Sequence, residues 1–439
     1  MVTWGLGLAS GGDSMVVAMT KEHKDGDGGV DIEPKYRMKP LIYFVAYTIP
    51  MLKMFTMFNF LFDARPLNSH LLSNLAPSTT TVDAALWPEP VARVQHLLDS
   101  GIQEIPKCYI KKPSERPSFI ESATSDLNIP VIDLQYLFSD DDSLRQTTTN
   151  LVASACREWG FFHVVNHGIS QQLMAATQKV WREFFHLPLE EKQKYANSPI
   201  TYEGYGSRLG AEKGVSLDWS DYFFLHFLPI SLRDEKKWPQ IPVSCRELVE
   251  KYSEEVVKLG GKLMKIFSRN LGLKENYLEE AFGGEGNIGA CLRVNYYPKC
   301  PQPGLTLGIS PHSDPGGMTL LFPDEKVSGL QVRHKNNWIT VKPLPNAFIV
   351  NLGDQLQVLS NANYRSVEHR VIVNAEKERV SLAYFYNPRG DIPIKPAEEL
   401  ITEDNPPLYP CMTFNEYRLY IRTRGPCGKA QVESLKSSH

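Results

Sequence analysis

Apolar residues recur along this chain in three rhythms. Before Thr81 they are either sparse or packed into one block. Between Val82 and about Leu271 they fall mainly at helical spacing, and from Ala290 onward they alternate over short runs broken by Pro and Gly. In Trp87–Ile102, Val91, Val94, Leu97 and Leu98 share one side of a helix. Leu151–Trp159 reads as an amphipathic helix, and Gln171–Phe185 and Val249–Leu271 as longer ones. Asn128–Asp133 and Gly160–Val165 read as short strands, the second closed by Asn166-His167-Gly168. Helices first and short strands after predict an α+β protein with a sandwich or barrel as its catalytic body.

The first eighty residues follow neither period. Met1–Gly29 is rich in Gly and Asp and reads as unstructured. Leu41–Phe62 is an apolar block preceded by Lys35, Arg37 and Lys39, long enough to span a bilayer. Pro50, Lys53 and Asn59 interrupt it, and a central Lys is costly in lipid. It is read first as a dispensable extension, second as a membrane anchor and third as a cleaved targeting segment. Pro77–Thr81 is a Ser/Thr-rich linker. The expected organisation is an extension over residues 1–81, a mixed region over 82–285 and a β-rich domain over 286–430.

Composition narrows the class without deciding it. The chain has 439 residues, 47 Lys+Arg against 50 Asp+Glu and a net charge of −3, which gives no global nucleic-acid footprint of the strongly basic kind. Seven cysteines without a CxxC argue against a zinc ribbon and a disulfide framework, which favours a reducing, cytoplasmic setting. Gly284, Gly286 and Gly289 match GxGxxG, but they follow a helical segment and precede a strand, the reverse of a dinucleotide site. His163 and His167 straddle a strand and a turn and are read as structural. Glu376–Arg379 mixes both charges and is read as a solvated turn, with Arg379 set apart.

The chemistry gathers in Pro311-His312-Ser313-Asp314 and Glu368-His369-Arg370. On a strand, His312 and Asp314 would share a face, and His369 from a neighbouring strand would complete a set of two imidazoles and one carboxylate. That set leaves three positions of an octahedral Fe(II) open. Taken alone, His-x-Asp is more simply a loop and His369 a core histidine. Arg379 and Ser381 change this balance, because a guanidinium beside a hydroxyl on one strand face is a carboxylate receptor. A dicarboxylate could chelate the metal at one end and reach Arg379 with the other, as 2-oxoglutarate can. Arg293, Asn295 and Tyr297 alternate on a further strand and should face the same cavity.

On these residues the chain from about Val82 to Lys429 resembles the plant 2-oxoglutarate- and Fe(II)-dependent dioxygenases. The matching segments are Ile129–Asp133, Trp159–Gly168, Asn295–Pro303, His312–Asp314, His369 and Arg379–Ser381. The resemblance implies a double-stranded β-helix, or jelly-roll, core with flanking helices and a mainly helical N-terminal region. It implies iron on His312, Asp314 and His369, and 2-oxoglutarate on Arg379, Ser381 and Tyr297 with Asn295 nearby. It further implies consumption of O2, ascorbate as reductant, and no obligate protein partner. The implied reaction couples decarboxylation of 2-oxoglutarate to succinate and CO2 with hydroxylation of an unactivated C–H bond.

Within that family, Thr201–Gly214, Ser216–Pro229, Ser310–Leu321 and Phe414–Lys429 resemble the jasmonate-induced oxygenases. Those enzymes imply hydroxylation of jasmonic acid to 12-hydroxyjasmonic acid, a step of hormone catabolism in plant defence. The rival expectations are oxidation of another plant metabolite, a flavonoid or a gibberellin-like acid, and a catalytically silent binding protein, against which the intact site residues count. A single carboxylate on an apolar body calls for cations among apolar walls. Thr413–Glu416 has the form of a capping box, so a helix should start there and end at Gly425-Pro426. Phe414, Tyr417, Arg418, Ile421 and Arg422 then share one face. Arg293, Arg418 and Arg422 are the expected carboxylate ligands, with Phe224 and Phe385 as aromatic walls. The plainer alternative is that the two helical arginines reach to the rim and pair with acidic residues.

Overall fold

The computed structural model describes residues 3–10, 15–22, 92–117, 127–197, 202–207, 216–424 and 428–436. By contact the chain divides into two units, Met1–Thr81 and Val82–His439. In the first, Thr3–Ser10 (β1) and Met15–Glu22 (β2) pair antiparallel, from Thr3 opposite Glu22 to Ser10 opposite Met15. This corrects the expectation that Met1–Gly29 lacks regular structure. The run Gly11-Gly12-Asp13-Ser14 between two apolar-rich stretches is a hairpin signal that the Gly-rich composition concealed. The apolar block at 41–62 lies outside the described residues. Among the described residues, no helix is long and apolar enough to cross a membrane.

The second unit holds a large sheet, a small sheet and a two-stranded pair, Pro393–Ile394 with Met412–Thr413, which leads into the C-terminal helix. The large one comprises Val131–Asp133 (β3), Phe161–Val165 (β4), Gly204–Gly206 (β5), Asp221–Leu228 (β6), Gly289–Tyr297 (β7), Met318–Phe322 (β9), Phe348–Leu352 (β12) and Arg379–Asn387 (β14). Their order is β3-β4-β12-β9-β14-β7-β6-β5. The small sheet comprises Ile309–His312 (β8), Leu330–His334 (β10), Asn337–Thr340 (β11) and His369–Val371 (β13), in the order β11-β10-β13-β8. All pairings are antiparallel except β3 with β4. This is the expected jelly-roll.

Successive side chains of a strand point to opposite faces, and here both faces are covered. Leu292, Val294 and Tyr296 of β7 and Leu382 and Tyr384 of β14 join one core. They share it with Trp181 and Phe184 of the helix Gln171–Phe185 and Val256, Leu263 and Phe267 of the helix Cys245–Asn270. Tyr297, Leu321, Ile349, Ala383 and Phe161 share a second core with Leu330, Val332 and Val371 of the small sheet. Gly260 lets the long helix approach β14, since a Cβ there would stand 2.5 Å from Cδ2 of Tyr386.

Several expected elements stand where the periodicity put them, and others shift. Gln171–Phe185 is a helix over its full length, whereas the long helix begins at Cys245 rather than Val249. The helix expected over Leu151–Trp159 is the end of a helix from Asp142 to Ser154, followed by a π-helical turn, Ala155–Trp159. Gly160 closes that turn at φ 62, its amide donating to Ala155 O, and a Cβ there would lie 2.2 Å from the Arg365 carbonyl oxygen. The GxGxxG match is a connector between the helix Tyr277–Ala281 and β7. His167 spans a loop, its Nε2 donating to Asn346 O at 3.0 Å and its Nδ1 accepting from the Ile169 amide.

The solvated turn at Glu376–Arg379 needs correction at Glu378. Its carboxylate accepts from Arg182 Nη1 at 3.0 Å, His186 Nε2 at 3.0 Å and Tyr296 OH at 2.8 Å. These partners lie far away in sequence, so local charge patterning could not reveal them. Burial would raise this carboxyl, but its three donors outweigh it and hold the group below its ordinary value of 4.5. A carboxyl lowered in the native state adds stability that is fully present above its ordinary value and is lost as pH falls through the lowered one. Glu378→Ala should therefore cost about 1–2 kcal/mol at neutral pH. In urea titrations the gap from wild type should close on acidification below pH 4.5.

Candidate active site

His312 ends β8 and His369 begins β13, and the two residues stand opposite each other in the small sheet. Asp314 lies two residues past the end of β8 in irregular chain, so it meets the two imidazoles without the shared strand face expected for it and His312. Asp314 Oδ1 is 3.6 Å from His312 Nε2 and 3.7 Å from His369 Nε2. The imidazole centroids are 4.2 Å apart, and one ligand atom from each of the three residues lies within 4.8 Å of the others.

The backs of all three groups are held. His312 Nδ1 donates to Ser310 O at 2.9 Å and His369 Nδ1 to Val367 O at 3.2 Å, which leaves both Nε2 lone pairs for a cation beside Asp314 Oδ1. Asp314 Oδ2 accepts from Thr319 Oγ1 and from Asn351 Nδ2 at 2.7 Å. Burial would raise the Asp314 carboxyl, but the imidazoles and the Thr319 hydroxyl hold it well below the usual range. Burial, then repulsion from His312, pull His369 down to about 4. For His312, burial acts downward and is outweighed by Asp314, which raises it. Once His312 gives up its proton to a cation, two imidazole nitrogens and one anionic oxygen without a thiolate fit a divalent iron that keeps open positions.

The large sheet carries the rest on one face, in cross-strand rows. Tyr297 pairs with Arg379, and the next row is Tyr222, Asn295 and Ser381. Then come Phe224, Arg293, Ala383 and Leu321, followed by His226, Cys291, Phe385, Thr319 and Asn351. The last row contains both donors to Asp314, so Arg379 lies further along the barrel from the cluster of His312, Asp314 and His369. Every residue expected to hold 2-oxoglutarate or to line the substrate cavity on β6, β7 and β14 is on these rows. Arg293, Phe224 and Phe385 are only partly buried between buried neighbours, as residues facing a cavity would be.

Arg379 is 4% exposed and has no carboxylate partner among the described residues. Its Nη1 donates to Ser381 Oγ at 3.3 Å, its guanidinium lies 5.1 Å from the Tyr297 ring centre, and its Nε makes no hydrogen bond. A buried guanidinium left in this state is a fitted receptor for an external carboxylate. Arg293 Nε donates to Asn295 Oδ1 at 2.6 Å, and its guanidinium stacks on Tyr222 at 4.3 Å.

The C-terminal helix starts as the capping box predicts. The Thr413 amide donates to Glu416 Oε2 at 2.8 Å and the Glu416 amide to Thr413 Oγ1 at 3.2 Å. The helix runs from Phe414 to Arg424. Phe414 and Tyr417 are buried, and the half-buried Arg418 lies over the Phe414 ring at 5.6 Å. Burial pushes the Cys291 thiol, on the same row as Phe385, up to about 12, and the charge of Arg418 acts against that rise. The Arg422 side chain lies outside the described residues.

Sequence reasoning missed Thr319, Asn351 and Tyr222. One signal existed for Asn351, a single amide within the apolar strand Phe348–Leu352. It also missed Lys111. This buried amine reaches Asp218 Oδ1 at 2.8 Å, Ser310 Oγ at 2.9 Å and Ser216 O at 2.9 Å, and Ser310 is the residue whose carbonyl orients His312.

The two donors to Asp314 Oδ2 carry a testable consequence. Thr319→Val and Asn351→Leu free that oxygen to rotate or to chelate, and outer-shell losses of this kind cost about 10–100-fold in metal affinity. Iron titration in the presence of 2-oxoglutarate should register that loss while the thermal transition moves little.

Two family models match the chain. The 2OG-Fe(II) oxygenase superfamily matches residues 288–388, and the non-haem dioxygenase in morphine synthesis N-terminal model matches 129–241. Jasmonate-induced oxygenase 2 of Arabidopsis thaliana is 62% identical over 348 residues, covering 79% of this chain and 94% of that protein. Leucoanthocyanidin dioxygenase of Malus domestica is 39% identical over 334 residues, covering 74% and 93%. A crystal structure of JOX2 in complex with 2OG, Fe and JA superposes with a TM-score of 0.75 at 61% identity, covering 80% of this chain and 99% of that one. Similarity at this level and coverage leaves one conclusion: the chain belongs to the 2-oxoglutarate- and Fe(II)-dependent oxygenase family, and it is similar to the jasmonate-induced oxygenases within it.

Proposed function

We propose that this protein hydroxylates jasmonic acid, with Fe(II) and 2-oxoglutarate, to 12-hydroxyjasmonic acid. It thereby lowers the active hormone in the cytoplasm, with ascorbate keeping the iron ferrous. His312, Asp314 and His369 would hold the metal, which when bound supplies the chemistry that activates O2 and oxidises an unactivated C–H bond. The chain's own work is binding, orientation and exclusion of water. Arg379, with Ser381 and Tyr297, takes the distal carboxylate of 2-oxoglutarate, and Asn295 holds Arg293 in place. Arg293, Arg418 and Arg422 take the carboxylate of the acid substrate, and Phe224 and Phe385 wall its apolar body.

One observation carries the substrate assignment. Arg293 is a half-buried cation next to Phe224 across the strands and stacked on Tyr222; its Nε donates to the neutral amide of Asn295, and among the described residues it forms no ion pair with a carboxylate. A carboxylated, otherwise apolar ligand matches this combination, and a neutral flavonoid would leave the charge unanswered. The 62% identity to a jasmonate-induced oxygenase, against 39% to a leucoanthocyanidin dioxygenase, supports the same choice.

Two measurements test the reading. Arg379→Ala removes a charge-assisted contact of about 1.5–3 kcal/mol, so the KM for 2-oxoglutarate should rise at least tenfold. An unchanged KM would mean that the carboxylate is held elsewhere. Wild-type protein should hydroxylate jasmonic acid with a kcat/KM at least about tenfold above that for methyl jasmonate, a gap that Arg418→Ala should narrow. Equal turnover of acid and ester, or a preference for a neutral flavonoid, would overturn the assignment.

A further inference from the structure

The rows of the large sheet hold the expected 2-oxoglutarate residues and much of the expected substrate wall, whereas the C-terminal helix lies outside them: the short strand Met412–Thr413 leads into it, and polar bonds tie its buried side. The residue at its back is Asp354, which opens the short helix Asp354–Leu359 and is fully buried. Its carboxylate accepts three hydroxyls: Ser366 Oγ at 2.6 Å on Oδ1, and Tyr417 OH at 2.7 Å and Ser313 Oγ at 3.1 Å on Oδ2. Its backbone amide donates to Asp314 O at 2.8 Å.

Each of these partners belongs to a segment with a task. Ser313 stands between His312 and Asp314, Ser366 precedes His369 on the approach to β13, and Tyr417 directly precedes Arg418. One turn further along the short helix, Gln357 repeats the pattern. Its Oε1 accepts from the Ser366 amide at 2.9 Å and from Lys429 Nζ at 2.6 Å, and its Nε2 donates to Tyr409 OH at 2.7 Å. The C-terminal segment is thus fastened to the metal side of the barrel by directional polar bonds in a place where apolar packing would serve stability as well.

We propose that Asp354 is a positioning residue that joins the substrate-binding C-terminal helix to the two segments carrying the metal ligands. It thereby fixes where Arg418 stands relative to the metal and 2-oxoglutarate without touching either. This rests on the reading that Arg418 takes the substrate carboxylate. Ser313 and Ser366 hold one side of the joint and Tyr417 the other. Losing the Tyr417 hydroxyl frees the helix while the metal segments stay tied.

Tyr417→Phe tests this most cleanly, because the ring keeps its buried packing and only the hydroxyl is lost. Asp354→Asn is the second variant, preserving shape while weakening all three bonds. In the full chain, each should raise the KM for jasmonic acid about tenfold, as expected for a hydrogen bond to a charged group. For Tyr417→Phe, the KM for 2-oxoglutarate and the iron affinity should stay at wild-type values. Amide hydrogen exchange over Phe414–Ile421, measured with Fe(II) and 2-oxoglutarate and no substrate, should accelerate in both variants. A lowered thermal midpoint with every KM unchanged would make Asp354 a purely structural residue and overturn the inference. Should wild-type protein fail to turn over jasmonic acid, the substrate reading falls. The exchange measurement then decides alone, with accelerated exchange sustaining the joint and unchanged exchange ending it.

Discussion

The site depends on a division of labour within one carboxylate. Asp314 turns one oxygen toward two imidazoles and gives the other to Thr319 and Asn351. Those two residues are cross-strand neighbours on β9 and β12, in the large sheet, whereas both histidines belong to the small one. The carboxylate therefore bridges the two layers of the barrel. Were Oδ2 free, Asp314 could turn both oxygens inward and occupy a position that the co-substrate needs. For a metal held here, the outer hydrogen bonds would thus set coordination number as well as orientation.

The same register that supports Asp314 distributes the remaining chemistry. Side chains of one parity on β6, β7 and β14 face the cavity, and those of the other parity build the helix-covered core. A one-residue slip in any of these strands would send Arg379, Arg293 and Phe385 into the helical layer. The apolar core on the far side enforces the register, since Leu292, Val294, Leu382 and Tyr384 would then be turned into the cavity. Packing on one face is what makes function on the other precise.

Much of this was legible because strand alternation is a local property. Arg293, Asn295 and Tyr297 could be assigned one face from spacing alone, as could Arg379, Ser381 and Phe385, and the capping box at Thr413 located the last helix to the residue. The opaque parts are those set by partners distant in sequence. Glu378 reads as a solvated charge until Arg182, His186 and Tyr296 are brought to it by folding. Thr319 and Asp354 look like ordinary strand and turn residues for the same reason. The pairing of Thr3–Ser10 with Met15–Glu22 was missed for a different reason: a glycine-rich composition masked two apolar-rich runs separated by a Gly-Gly-Asp-Ser sequence.

Lys111 shows what such distance means for how the molecule comes into being. Its amine must find Ser310, 199 residues later in the chain, before the strand bearing His312 is anchored at its start. At ribosomal rates of about 5–20 residues per second, the amine waits roughly 10–40 s for its partner to be synthesised. Closing so long a loop is entropically slow and is repaid only once the β-rich half has assembled. Competence to take up iron should therefore be among the last properties the nascent chain acquires, which makes metal loading a natural check on completed folding.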